Sequence, residues 1–69
     1  MNRNVKEAIA DVARQTWEQY QLGNKSDART IFRKLPAERR PLATLYLSEL
    51  ALAENKTEDL YTFIESVTE

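Results

Sequence analysis

Five cations fall within twelve positions: Arg29, Arg33, Lys34, Arg39 and Arg40. Arginine presents paired donors that match anionic oxygens, so such a cluster can hold phosphates, and with them a nucleic acid. The surrounding charge argues for a plainer role. Residues 1–24 balance three basic against three acidic groups, residues 25–40 carry six basic and two acidic, and residues 41–69 carry one basic and six acidic. A polyanion binder is usually basic overall and interleaves aromatic residues with its cations, whereas this chain has a net charge of −1 and no aromatic residue between Lys34 and Arg40. The favoured expectation is that the patch answers the acidic C-terminal half, within one chain or across a dimer.

The remaining chemistry is sparse. The sequence holds no cysteine and no histidine, which removes disulfides, thiolate nucleophiles, the usual zinc ligand sets and the Glu-x-x-His ligands of di-iron bundles. Glu49 interrupts an apolar stretch, between Leu45 and Leu52 on one side and Leu42 and Ala53 on the other. A carboxylate there is either a partly buried acid with a raised pKa or, more often, a rim group paired with an arginine. One lone carboxylate without a histidine, cysteine or glycine-rich loop does not make an active site. We therefore expect no catalysis, no cofactor, no metal and no small-molecule substrate.

The elements that must position these groups read as helices throughout. Asn2 or Asn4 caps a first helix ending at about Leu22, whose stripe is Val5, Ala8, Ile9, Val12, Ala13, Thr16 and Tyr20. Trp17 borders that stripe, either as a core-edge residue or as an anchor for a partner. Gly23 suits a left-handed helix end, and Ser26 is the expected cap of a second helix over Asp27 to Leu35, with Ala28, Ile31, Phe32 and Leu35 facing inward. Pro36 ends it, and Ala37 to Arg40 form a tight connection of about one turn.

Pro41 then opens a third helix reaching Glu54 or Asn55, apolar around most of its circumference, with Thr44 and Ser48 as a narrow polar strip. A helix of that kind is expected to be the buried central rod. Thr57 is the expected cap of a last helix, Glu58 to Val67, with Leu60, Phe63, Ile64 and Val67 inward and Tyr61 on the flank. The fold class is all-α: a small single-domain bundle, residues 1–69, of four helices arranged as two tandem helical hairpins around the apolar helix 41–55. A helix-turn-helix reading of the second and third helices fails on the third, which is too apolar to lie in a major groove.

Asn24-Lys25-Ser26-Asp27 recurs as Asn55-Lys56-Thr57-Glu58, an offset of 31 residues that also matches Phe32 with Phe63. The first hairpin is similar in spacing to a tetratricopeptide repeat, since Gly23, Ala28 and Phe32 keep that family's small, small, aromatic order. The resemblance implies a protein-binding scaffold. It covers about half the chain; Trp17 is out of register with the family tryptophan, the offset is shorter than the family's repeat, and the second copy lacks both small residues. Both Asn-Lys-Ser/Thr tripeptides also fit the N-glycosylation pattern, but read more simply as helix caps.

At this size a single core rarely contributes more than about 3 to 5 kcal/mol, so self-association or a partner is the expected reinforcement. No run approaches a membrane span and no apolar signal core follows Met1, so a complete cytoplasmic chain is expected. The function expected is a small cytosolic helical interaction module, regulatory or accessory, that binds a partner protein and forms a homodimer. The alternative is a nucleic-acid-associated regulator using the arginine cluster. Trp17, Leu45, Glu49 and Leu52 are the candidate interface residues; Leu45 and Leu52, one heptad apart, should stay open in a monomer.

Overall fold

The computed structural model describes residues 4–68, with side chains as far as residue 66. The protein is all-α. Its four helices are α1 (Val5–Gln21), α2 (Lys25–Arg33), α3 (Arg40–Ala53) and α4 (Thr57–Thr68), with one 3₁₀ turn, Ala37–Arg39, between α2 and α3. Among the described residues there is no strand, and no helix is long and apolar enough to cross a membrane.

Asn4 starts α1, its Oδ1 accepting from the Lys6 N–H at 2.8 Å. Asn2 lies outside the described residues. Gly23, at φ +88°, ends the helix in the left-handed conformation; its N–H reaches the Tyr20 carbonyl and the next N–H, of Asn24, reaches Gln19. The turn after α3 repeats this geometry with Asn55 at φ +56°, Asn55 N–H reaching Leu52 and Lys56 N–H reaching Ala51. Both are Schellman closures, which satisfy the last carbonyls of one helix while turning the chain into the next.

The matching residues are thus Gly23 with Asn55 and Lys25 with Thr57, an offset of 32 rather than 31. The tripeptide echo is out of step with the backbone by one residue. For the same reason Ser26 and Thr57 do not occupy cap positions: α2 begins at Lys25 and α4 at Thr57, and the Ser26 carbonyl already accepts from Thr30 Oγ1 at 3.0 Å. Asn24 holds the N-cap position of α2 without a side-chain hydrogen bond to the helix.

The core is built from one face of each helix. Ile9, Ala13 and Trp17 of α1 meet Ala28 and Phe32 of α2, Ala43, Leu47 and Ala51 of α3, and Leu60 and Phe63 of α4, with Leu35 beneath the connection. Four of these are fully buried alanines, whose small side chains let the helices approach closely. Thr16, also fully buried, donates its hydroxyl to the Val12 carbonyl at 2.8 Å and so leaves no polar group unmet. The Val67 side chain expected in the inner stripe lies outside the described residues.

The packing corrects the expectation for α3. α1 packs on both α2 and α3, α3 on α4, and α2 on α4, so α1 is at least as central as α3. α3 buries only Ala43, Leu47 and Ala51, spaced by four, and half-buries Leu42, Tyr46 and Leu50. Leu45 and Leu52 are 62% and 64% exposed. A 69-residue chain supplies three other helices, and they cover one side of this one rather than its whole circumference.

Candidate interaction surface

α3 is set in place at its two ends. At the start, Arg40 turns back: Nε donates to the Leu35 carbonyl at 3.1 Å and Nη2 to the Arg33 carbonyl at 3.2 Å. A guanidinium there meets carbonyls that the end of α2 leaves without helical partners. At the far end, Glu54 accepts from Trp17 Nε1 at 3.0 Å and from Gln21 Nε2. These two donors, Gln21 first, hold the Glu54 carboxyl below its ordinary value.

Beside this clamp, Tyr20 donates its hydroxyl to the Asp59 carbonyl at 2.9 Å, and its ring lies 4.5 Å from Phe63 and 5.9 Å from Trp17, centroid to centroid. Burial, and then the Asp59 charge, pushes the Tyr20 phenol up. Lys25 Nζ sits 5.8 Å from the same ring. Together these contacts stitch α1 to the α3–α4 turn.

Trp17 therefore does not serve as a surface anchor: at 3% exposure it is a core residue whose indole N–H meets a carboxylate. The other three interface candidates stay outside. Leu45 and Leu52 are separated by seven residues, hence share a face to within about 20°. Glu49 is exposed and borders that face on the α1 side, next to Arg14, Tyr46 and Leu50.

On the opposite border lies a groove of about 260 Å³ between α3 and α4, lined by Thr44, Ser48 and Leu52 from one helix and Thr57, Leu60, Tyr61 and Ile64 from the other. None of the lining residues is charged. Its polarity is lower than the residue names imply, because Thr44 Oγ1 donates to the Arg40 carbonyl at 2.9 Å and Ser48 Oγ to the Thr44 carbonyl at 3.0 Å. With their protons turned into the helix, these side chains offer the groove mainly carbon. Tyr61, 73% exposed, forms its outer wall.

The basic cluster is divided. Arg29, Arg33, Lys34 and Arg39 are exposed, around the end of α2 and the 3₁₀ turn, while Arg40 is half-buried and engaged with backbone. Sequence reasoning missed that role of Arg40, the Glu54–Trp17 bond and the groove with Tyr61. Each joins residues far apart in the chain or across a turn, and none has a local periodic signal. Comparison of the chain with protein-family models, with curated proteins and with solved structures finds no match.

Proposed function

We propose that this chain is a small helical interaction module, regulatory or accessory in role and cytoplasmic in location, that acts by docking protein onto the α3–α4 face and by self-association. One observation carries the reading: Leu52 and Tyr61 stand mostly in solvent as walls of an uncharged groove, and Leu45, one heptad before Leu52, is exposed on the same face of α3. Apolar exposure grouped in this way marks an interaction site more often than singly scattered leucines do. Side chains with the means for catalysis are not gathered there, and the reading assigns no reaction, cofactor or small-molecule substrate.

The test is capture of partners from the native host with the tagged wild type and with Leu52→Glu. Docking on the groove predicts a partner that survives about 0.5 M salt, where charge contacts are screened within a few ångströms, and that the substitution removes. Equal capture by both forms contradicts the reading.

A nucleic-acid-associated regulator is the second reading, favoured by the exposure of Arg29, Arg33, Lys34 and Arg39 along α2 and the 3₁₀ turn that follows it. It predicts retention on DNA or RNA that weakens steeply with salt and is abolished by Arg29→Glu with Arg33→Glu at unchanged helicity. The net charge of −1 weighs against it.

A further inference from the structure

We propose that the occupant of the α3–α4 groove is the same face of a second copy, docked antiparallel about a two-fold axis between Ser48 and Glu49, so that Leu45 of each protomer enters the groove of the other beside Leu52 and Tyr61. The proposal rests on the reading of this face as a docking surface and names what docks there.

The face is self-complementary in shape. Leu45 projects from α3 three residues before Ser48, and Leu52 stands four residues after it, at one end of a groove whose α3 wall runs from Thr44 through Ser48 to Leu52. The two leucines are about 10 Å apart along the axis. Turning a second α3 end for end about a point between Ser48 and Glu49 sets Leu45 of each copy opposite Leu52 of the other. A parallel pairing sets leucine against the identical leucine. The crossing point falls between Ser48 and Glu49, so the small Ser48 of each copy faces Glu49 of the other and lets the two helices come within about 8 to 10 Å.

Charge selects the same orientation. Arg39 stands exposed at the start of α3, while Glu58 and Asp59 stand exposed past its end at the start of α4. The antiparallel pair brings the basic end of each protomer toward the acidic end of the other at the rim. The parallel pair stacks like charges at both ends. The arrangement also answers the division between residues 25–40 and 41–69, and a two-fold contact uses every one of these features twice.

The protein contains no cysteine, so single cysteines report the geometry directly. Leu45→Cys and Leu52→Cys proteins, mixed and oxidised, should form the mixed 45–52 disulfide at least about 10-fold faster than either like pair, since only closely apposed Cα atoms can be bridged. Glu18→Cys, on the exposed side of α1, sets the background rate. A predominance of 45–45 and 52–52 products means parallel pairing and overturns the proposal, as does cross-linking no faster than the Glu18→Cys background.

Sedimentation equilibrium supplies the second arm. The wild type should show dimer mass at about 100 µM, and Leu45→Glu with Leu52→Glu should weaken association at least about 100-fold with unchanged far-ultraviolet circular dichroism, because symmetry doubles each substitution. A wild type that remains monomeric at that concentration overturns the second copy as occupant. If that monomer still captures a host partner that Leu52→Glu loses, the docking surface stands and only its occupant changes.

Discussion

The two sides of α3 are built from the same residue types and do opposite things. Leu47, between Ala43 and Ala51, is fully buried in the core, whereas Leu45 and Leu52 stand in solvent, Leu52 as a wall of the groove with α4. Nothing in the side chains themselves separates the two sets. What separates them is supply: α1 reaches one side of α3 and α4 the flank, and no part of the described chain is left to cover the rest. An apolar helix in a chain of this length is thus both a core element and a presented surface, and the boundary follows from the number of helices available to pack on it.

The sharpest way to break the comparison is to truncate a leucine on each side. Leu47→Ala should cost about 2 to 5 kcal/mol in urea unfolding, since it opens a cavity among residues that cannot all close in. A loss below about 1 kcal/mol would mean that the inner face is not the core.

Next in size is the turn that folds α2 back beneath α1. A Cβ at Gly23 meets nothing within 4 Å, so Gly23→Ala isolates the cost of a left-handed backbone, about 1 to 2 kcal/mol. Asn55→Gly, at the equivalent turn, should stabilise by a few tenths of a kcal/mol or more. A loss of stability in Asn55→Gly would show that the geometry shared by the two turns is superficial.

A smaller effect comes from Glu54, at the edge between the two faces. Its carboxyl is held below its ordinary value of 4.5, so the unfolded chain takes up this proton at higher pH than the folded one. The stability from Glu54 is therefore present above that ordinary value and is lost as pH falls through the lower folded value. Acid titration of unfolding should show a shallower loss of stability in Glu54→Gln than in the wild type; identical slopes would mean that the bonds from Gln21 and Trp17 do not persist in solution.

The smallest effect belongs to the outer face. At protein concentrations low enough for monomers, Leu52→Ser should change stability by no more than about 0.5 kcal/mol. A larger loss would move Leu52 into the core.

Much of this fold is legible in the sequence because polar residues mark the outer sides of α1 and α2. Asn4, Gly23, Pro36, Ala28 and Phe32 do locally what their chemistry dictates, and the helices follow. α3 is less legible because polarity does not mark its outside, so a periodic pattern cannot say which apolar side is covered. Ser26 and Thr57 read as caps but lie in the first turn of their helices, because either turn offers two residues able to take a left-handed conformation or a cap. Which one does so depends on where the preceding helix runs out of partners. Of the candidate surface, Leu45, Leu52 and Glu49 are visible from spacing, while Trp17 is withdrawn by Glu54, a residue 37 positions away.

The central claim is that the open side of α3 docks a second copy. Its most direct test is the urea midpoint of the wild type measured over about a 100-fold range of protein concentration, beside the Leu45→Glu, Leu52→Glu variant, because association that stabilises only the folded chain makes the midpoint depend on concentration. The account predicts a midpoint that rises with concentration in the wild type and stays constant in the variant. A wild-type midpoint that does not move, or a variant already unfolded in the absence of urea, would contradict it.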